Sequence, residues 1–393
     1  MPRDSTGQGG SAGTAAVILP GSTVGILGGG QLGRMIALEG RKMGYRFVTL
    51  DPTPDSPCGQ VCDEQVVAPY DDLEAAATLA GRCDVITYEF ENVDSEVVNV
   101  LESKGYVPQG SRLLQTTQNR ALEKAALLEL GVPVAPFAIL SDRESLAGAI
   151  DRIGFPAVLK TTTGGYDGKG QWVIEGEQAA VQAFSSAESA HSDLILEQYI
   201  PFAKEISVIA ARSPRGEVGT FPVVENIHYE NMLHVSLAPA RIPERIRARA
   251  EQLARKIVTG LAVHGLVAVE MFVTAEDELY VNELAPRPHN SGHLTLDACV
   301  TSQFEQHLRS ICNWPLGSTE LLTPAVMLNL IGDDVLRLRE VIDRLIPEVK
   351  VHLYGKREAL PKRKMGHLTV LGGSVERGLK LLEGLPFELH VSA

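Results

Sequence analysis

Cysteine and aromatic residues are scarce in this chain of 393 residues, which has five Cys and 5% aromatic residues. Scattered cysteines in an odd number are typical of a reducing compartment, so we expect a cytoplasmic protein without a disulfide framework. No apolar run has the length of a bilayer span, so we expect no membrane partner. The 36 basic residues are outnumbered by 49 acidic ones, and a net charge of −13 argues against a nucleic-acid partner.

The length of the chain predicts two or three domains. Residues 1–21 are rich in Gly, Ser, Ala and Thr, which bury too little apolar area to order a segment, so we expect a disordered leader. In residues 22–118, strand patterns alternate with helical ones, beginning with a strand at 23–28 and a helix at 31–43. This alternation predicts an α/β domain with a parallel, Rossmann-like sheet.

The pattern changes after residue 118. Residues 119–314 mix strands and helices, which predicts α+β packing, and one strand is expected over 218–224. Strands at 266–273 and 278–284 are expected to pair as a hairpin. Residues 315–393 predict a small C-terminal domain.

A glycine motif lies between the first strand and the first helix. Gly28, Gly30 and Gly33 fit G-x-G-x-x-G, and Asp51 ends the next strand. Glycines let the backbone approach a phosphate, and the helix N-terminus offers N–H groups and a positive dipole. The pattern fits dinucleotide binding, so an NAD-dependent dehydrogenase is one alternative, and a tight turn without a ligand is another. The motif alone does not separate a dinucleotide from a sugar phosphate.

A second glycine-rich segment, residues 164–170, follows a strand that ends at Lys160. A loop of this kind can fold over a triphosphate while lysines neutralise its charge. Four glycines, with Lys169 among them, are hard to explain as a plain hairpin. The segment therefore indicates ATP.

Carboxylates lie inside both strands of the expected hairpin, at Glu270 and at Glu283. Facing carboxylates can hold Mg²⁺ together with ATP phosphates, since Mg²⁺ prefers oxygen ligands. A buried salt bridge is the alternative, because an unpaired carboxylate in an apolar strand is costly. The spacing of His289 and His293 would allow a metal pair, but their Pro- and Gly-containing context favours His289 as an anion contact.

These residues together resemble the ATP-grasp superfamily. Within it, the chain from residue 23 to residue 373 resembles the 5-(carboxyamino)imidazole ribonucleotide synthases. The motifs that carry this resemblance are GGGQLGRM (28–35), YEFEN (88–92), GGYDGKGQ (164–171), NELAPRPHN (282–290) and RKMGH (363–367). The resemblance implies an ATP-grasp fold with an N-terminal Rossmann-like domain, a central ATP-grasp domain and a small C-terminal domain.

The resemblance also implies a reaction, in which a homodimer uses ATP and Mg²⁺ to carboxylate 5-aminoimidazole ribonucleotide with bicarbonate in purine biosynthesis. The implied ATP contacts are Arg120, Lys160, Gly165, Tyr166, Asp167, Gly168, Lys169, Gly170, Gln171, Glu197, Gln198, Tyr199, Ile200, Glu205, His228, Asn282 and Glu283. The implied ribonucleotide contacts are Gln31, Leu32, Glu89, Tyr166, Asn290, Lys356, Arg363 and Lys364. The implied catalytic residues are Asp167, Arg287, His289 and Lys356, with Mg²⁺ at Glu270 and Glu283. Arg287 and His289 would contact bicarbonate.

Other functions fit parts of this pattern. A formate-dependent glycinamide ribonucleotide transformylase or a biotin carboxylase would share the ATP site and differ in the acceptor pocket. A dehydrogenase leaves Lys160, Glu270 and Glu283 unexplained. A nucleotide-binding regulator without turnover would not need both carboxylates.

Overall fold

The computed structural model describes residues 16–164, 170–188 and 193–390. Its first domain is a parallel sheet in the order β3-β2-β1-β4, flanked by helices. The sheet confirms the parallel α/β arrangement expected from the sequence. The strands are β1 (Thr23–Leu27), β2 (Arg46–Leu50), β3 (Glu64–Val66) and β4 (Val85–Tyr88), and the helices are α1 (Gln31–Lys42), α2 (Leu73–Arg82), α3 (Ser95–Lys104) and α4 (Gly110–Gln118).

Apolar side chains on both faces explain why β1 lies in the middle of this sheet. Val24, Ile26 and Leu27 are fully buried, as expected for a strand covered by helices on two sides. Local capping fixes where the helices begin: the Asp72 carboxylate accepts the N–H groups of Glu74 and Ala75 at the start of α2.

A smaller antiparallel sheet follows, in the order β5-β8-β6-β7. It is flanked by α6 and α7, whose apolar faces form a separate core with it. The glycine-rich segment joins β6 to β7 at one end of this sheet. The elements are α5 (Arg120–Glu129), β5 (Phe137–Leu140), α6 (Arg143–Ile153), β6 (Ala157–Thr161), β7 (Gln171–Ile174), α7 (Glu177–Glu188) and β8 (Leu194–Gln198).

The rest of the chain forms a large antiparallel sheet in the order β14-β13-β9-β11-β12-β15-β17-β16, with β10 paired to β9. Its strands are β9 (Phe202–Arg212), β10 (Val218–Thr220), β11 (Val224–Tyr229), β12 (Met232–Ala238), β13 (Gly265–Thr274), β14 (Leu279–Ala285), β15 (Ala325–Ile331), β16 (Val349–Leu353) and β17 (Lys364–Leu371). Its helices are α8 (Glu244–Gly260), α9 (Thr295–Ala298), α10 (Gln303–Ile311), α11 (Asp334–Val341) and α12 (Val375–Glu383).

The C-terminal strands continue the sheet of the middle domain, because β15 pairs with β12. The C-terminal segment also reaches the first domain: Tyr354, fully buried, packs in one core with Val24 and Ile36. Phe304 and Leu308 of α10 belong to the same core. The three parts of the chain therefore meet along shared cores, which brings residues distant in sequence to one cleft.

Two sequence expectations need correction. The strand expected over residues 218–224 is divided into β10 and β11, because Pro222 has no N–H to donate to a neighbouring strand. Part of the expected leader, residues 16–21, is bound to the protein: Ile18 N donates to Cys312 O at 3.0 Å, and Ile18 O accepts from Trp314 Nε1 at 2.9 Å. Residues 1–15 lie outside the described residues.

Within the described part of the chain, no helix is long and apolar enough to cross a membrane.

Candidate active site

The glycine-rich turn before α1 is closed by a carboxylate. Glu89, the residue after β4, accepts the backbone N–H groups of Gly30 and of Gly33, the latter at 2.5 Å. These two N–H groups are therefore bound by the Glu89 carboxylate and are not open to a phosphate. The turn still presents the N–H groups of Gln31 and Leu32, which Glu89 does not bind.

Asp51, the residue that favoured a dinucleotide, is also bound internally. Its carboxylate accepts from Gly29 N at 2.8 Å, from Thr53 N at 2.7 Å and from the Tyr70 hydroxyl at 2.5 Å. A Cβ at Gly29 would lie 2.5 Å from Asp51 Cβ, so close packing explains this glycine without a ligand. Asp51 is therefore a structural residue, which removes the feature that favoured NAD.

The C-terminal segment after β16 reaches this turn as expected. Gly355 O accepts from Gln60 Nε2 at 2.9 Å, and Gln60 Oε1 accepts from Arg34 Nη1 of α1 at 3.1 Å. Gly355 has φ +74°, and a Cβ there would clash with Gln60, so glycine permits the close approach. The next residue, Lys356, is thereby placed near Glu89.

Cationic side chains gather around Lys356. Its ammonium donates to Lys364 O at 2.6 Å. Burial, followed by the charge of Arg363, lowers the pKa of Lys356 to about 8, although Glu89 opposes the shift. Arg363 is half-buried, and its guanidinium donates to Glu358 O at 3.2 Å. The structure thus brings Glu89 of the first domain together with Lys356, Arg363 and Lys364 of the C-terminal segment.

The β13–β14 hairpin pairs the two expected metal ligands directly. Glu270 lies opposite Glu283 in the antiparallel register. Burial alone would raise the pKa of Glu270, but His289, together with His228 and Arg287, lowers it to about 2. The Glu283 side chain is open to the cleft, and its pKa is raised first by the desolvation that the surrounding protein causes and then by the charge of Glu270. Two facing carboxylates, with Asn282 next to Glu283 in the chain, form a donor set that suits Mg²⁺.

The loop after β14 carries Arg287 and His289 to the same carboxylates. The His289 Nε2 atom lies 2.9 Å from Glu270 Oε1. Arg287 forms a two-pronged ion pair with Glu91, in which Nη2 donates to Oε1 at 2.7 Å, and this arginine lowers the pKa of Glu91 to about 2 against the effect of burial. His289 therefore lies beside a predicted metal ligand, and its role as an anion contact stays a prediction.

His293 is fully buried away from Glu270, and its Nδ1 contacts Gln303 Nε2 at 3.1 Å. Burial lowers the pKa of His293 well below its usual value. No group of three or more His, Cys, Asp or Glu side chains that could hold a metal occurs among residues 16–164, 170–188 and 193–390.

Lysines define the opposite wall of the cleft. Lys160, at the end of β6, donates to Glu197 Oε2 of β8 at 3.0 Å. The fully buried Lys124 of α5 lies 3.7 Å from the same oxygen. Arg120 Nη1 donates to Thr161 O at 2.8 Å. Lys160, Glu197 and Arg120, all predicted ATP contacts, therefore lie around one end of the small sheet.

Other predicted ATP contacts lie on the neighbouring strands. Glu205 of β9 and His228 of β11 form an ion pair of 2.8 Å, and Glu205 raises the pKa of His228 although burial opposes protonation. Gln198 ends β8, and Tyr199 and Ile200 follow it in the connection to β9. Gln171 begins β7 opposite Lys160, and Gly170 O, just before it, accepts from Thr161 N at 3.0 Å.

Asn290 does not fit its predicted contact with the ribonucleotide. Its amide forms a reciprocal pair of hydrogen bonds with Asn329 of β15, each of 2.9 Å, and both residues are buried. Asn290 therefore connects the loop after β14 to the C-terminal strands. The predicted contacts Gly165, Tyr166, Asp167, Gly168 and Lys169 lie outside the described residues.

Sequence reasoning missed Glu91, Glu123 and Lys124. Glu91 stands within the YEFEN motif, but its arginine partner is distant in sequence. Glu123 and Lys124 are adjacent charges on α5 that are both almost completely buried. Their periodicity with the apolar residues of α5, such as Leu127, was the available signal.

Family models cover most of the chain. A ribonucleotide synthetase preATP-grasp domain matches residues 22–118, an ATP-grasp domain matches residues 125–304, and a phosphoribosylaminoimidazole carboxylase C-terminal domain matches residues 325–380. The N5-carboxyaminoimidazole ribonucleotide synthase of Bacillus subtilis (strain 168) is 50% identical over 355 residues, which are 90% of this chain and 93% of the relative. The chain belongs to the N5-carboxyaminoimidazole ribonucleotide synthase family.

Solved structures of the N5-carboxyaminoimidazole ribonucleotide synthase family have the same fold. An ADP complex of N5-carboxyaminoimidazole ribonucleotide synthetase is 51% identical, with a TM-score of 0.90 over 94% of this chain and 97% of the other. The synthase of Aspergillus clavatus in complex with ADP and 5-aminoimidazole ribonucleotide is 32% identical, with a TM-score of 0.86 over 92% and 97%. Membership confirms the predicted family, the ATP-grasp fold and an ATP-dependent ligase.

Proposed function

We propose that this chain uses ATP to join bicarbonate to the amine of 5-aminoimidazole ribonucleotide, giving N5-carboxyaminoimidazole ribonucleotide, ADP and phosphate. The reaction is that of the family to which the chain belongs, and it is a step of purine biosynthesis. The complex of the Aspergillus clavatus relative with ADP and 5-aminoimidazole ribonucleotide supports both ligands.

One contact carries the proposal: His289 Nε2 lies 2.9 Å from Glu270 Oε1. Phosphorylation of bicarbonate requires the anion to lie against the terminal phosphate of ATP. A loop that would bind bicarbonate touches a carboxylate that would hold the metal of ATP, so the two reactants would meet at this point.

The nucleotide would lie between the small sheet and the large sheet. Lys160 would neutralise phosphate charge, as cations do in phosphoryl transfer. Glu197 Oε1 is buried and has no hydrogen-bond partner among the described residues, so it can accept from the adenine amino group. Glu205 would accept the ribose hydroxyls.

Glu270 and Glu283 would hold Mg²⁺, since their facing carboxylates offer the oxygen ligands that this cation prefers. When bound, Mg²⁺ supplies positive charge that stabilises the transferring phosphoryl group. Arg287 would bind and orient bicarbonate, and the ion pair with Glu91 would hold its guanidinium in place.

The ribonucleotide would bind where the C-terminal segment meets the first domain. Lys356, Arg363 and Lys364 would contact its phosphate, and Glu89 its ribose or amine. Phosphorylation of bicarbonate by ATP would give carboxyphosphate and ADP. Carboxyphosphate reacts with water, so the site must exclude solvent while the amine attacks and phosphate leaves. Asp167, or the phosphate released in the site, would accept the amine proton.

An assay of ADP formation tests this function. We expect ADP release to require both 5-aminoimidazole ribonucleotide and bicarbonate, and labelled bicarbonate to appear in an acid-labile product. Formate with glycinamide ribonucleotide, or biotin, should give little stimulation. Strong stimulation by either would assign the chain to a different ATP-grasp activity.

The proposal also includes a homodimer and a cytoplasmic location. Light scattering after gel filtration tests the homodimer.

A further inference from the structure

The strand β14 is irregular beside Glu283. In its pairing with β13, Glu270 is opposite Glu283 but the next residue, Met271, is opposite Val281, so Asn282 has no partner in the register. An extra residue in one strand is a β-bulge, which turns side chains away from the regular alternation.

The bulge changes which way the side chains of β14 point. Val281 and Leu284 are both buried in the same core cluster, although regular alternation would place them on opposite faces. Asn282 and Glu283 are less buried than either neighbour. The bulge therefore turns both residues toward the cleft, where Glu283 faces Glu270.

Two side chains of α5 bind the backbone of the bulge. Lys124 Nζ donates to Asn282 O at 2.8 Å and lies 3.4 Å from Val281 O. Glu123 Oε2 accepts from Leu284 N at 3.1 Å. Because β14 is the edge strand of the large sheet, these backbone groups on both sides of Glu283 are bound by α5 and not by another strand.

Burial of these two charges is unfavourable for folding by itself. Burial lowers the pKa of Lys124 and raises that of Glu123 to about 8. Well-packed apolar residues often stabilise a protein as well as buried ionic groups do. The presence of Lys124 and Glu123 at these positions therefore indicates that they hold the backbone in place more than they stabilise the fold.

We propose that Lys124 and Glu123 are positioning residues, which fix the bulge at Asn282 and thereby aim the Glu283 carboxylate at the Mg²⁺ of bound nucleotide. Neither side chain touches the substrate in this scheme. The inference rests on the proposed function only in taking Glu283 as a metal ligand.

Nucleotide binding at varied Mg²⁺ tests the role of Lys124. A fluorescent ADP analogue is titrated at a series of Mg²⁺ concentrations with the wild type and with Lys124→Met, which keeps the volume and removes the donor. We expect the half-saturating Mg²⁺ concentration to rise about 10-fold or more, as when a group supporting a metal ligand is lost. Lys124 also lies 3.7 Å from Glu197, the proposed adenine contact, so binding of the analogue without Mg²⁺ should weaken as well, but by a smaller factor.

Leu127→Ala is the matched control. Leu127 is a fully buried residue of the same helix whose side chain packs in the core, so its truncation should lower the melting temperature without shifting the Mg²⁺ dependence. If Lys124→Met shifts the Mg²⁺ dependence no more than Leu127→Ala does, or weakens metal-free binding equally, the positioning role is wrong.

Glu123 gives an independent pair of variants. Glu123→Gln keeps an oxygen that can accept the Leu284 N–H, whereas Glu123→Ala does not. We expect near wild-type Mg²⁺ dependence for the first and a shift for the second, and equal values for the two would overturn the proposal. Since nucleotide binding needs no ribonucleotide, a failure of the proposed carboxylation would appear separately, as ADP formation that ignores 5-aminoimidazole ribonucleotide.

Discussion

The carboxylate of Glu89 lies on the N-terminus of α1 and accepts the Gly33 N–H at 2.5 Å. A side chain therefore provides the anion that a dinucleotide pyrophosphate supplies in the usual G-x-G-x-x-G motif. Burial raises the pKa of Glu89, and the N–H groups of Gly33 and Gly30 oppose that rise because they stabilise the charged form.

We expect no saturable binding of NADH at the glycine-rich turn, because Glu89 and Asp51 bind its N–H groups. NADH fluorescence at micromolar concentration is the measurement, with a fluorescent ADP analogue as the positive control. Saturable NADH binding that ATP does not displace would contradict the assignment.

Glu283→Gln should lower turnover by about 100-fold or more, the scale of a lost electrostatic contact to a reacting group. The change removes one of two facing carboxylates and keeps the shape of the side chain. Turnover at saturating Mg²⁺ and the melting temperature are measured together.

Glu276→Gln is the control for that variant, since Glu276 is exposed in the turn of the same hairpin. It should leave both turnover and melting temperature nearly unchanged. Unchanged turnover in Glu283→Gln would exclude the metal role of Glu283.

The hairpin shows what the sequence could predict. The apolar alternation within 266–273 and 278–284 is a local pattern, so both strands could be predicted from the sequence. Pairing them as a hairpin places Glu270 opposite Glu283. The bulge at Asn282 could not be predicted, because the side chains that bind its backbone groups, those of Glu123 and Lys124, belong to a helix that is distant in sequence.

The glycine-rich turn shows the same limit for the candidate site. Strand, turn and helix were predicted from local pattern, and the structure confirms them. The group that binds the N-terminus of α1 is Glu89, which follows β4 and is distant in sequence from the turn, so local pattern does not reveal it. For Asn290, the motif suggested a substrate contact, whereas its partner Asn329 belongs to another strand.

Binding of the ribonucleotide should be coupled to protonation of Lys356. With a pKa of about 8, the free amine is about half protonated at pH 8. An anionic phosphate beside it favours the charged form, so binding should take up protons at pH 8 and almost none at pH 6.5. Affinity should fall as the pH rises above 8.

Calorimetry in two buffers of different ionisation enthalpy measures this proton uptake. Lys356→Arg is the matched variant, because arginine stays charged throughout this range. It should bind without proton uptake and with a flatter dependence on pH. Equal uptake by the wild type and Lys356→Arg would exclude Lys356 as the titrating group.

Arg363→Ala should raise the apparent KM for the ribonucleotide strongly, by about 10-fold or more, and leave ATP affinity nearly unchanged. A guanidinium can bind a phosphate through two parallel N–H donors, which alanine removes and lysine does not reproduce. Arg363 is close enough to Lys356 to lower its pKa, whereas the predicted ATP contacts that the structure describes lie in the middle domain, between Arg120 and Glu283.

Lys362→Ala provides the control for charge alone. Lys362 precedes Arg363, but its ammonium is exposed and pairs with Glu230 at 3.0 Å. Its removal takes away the same formal charge at the adjacent position, and an exposed ion pair contributes little, so both affinities should change less than about twofold. Calorimetric titration of each ligand separates the outcomes. If Arg363→Ala weakens ATP and ribonucleotide equally, or resembles Lys362→Ala, the segment after β16 does not form the acceptor site.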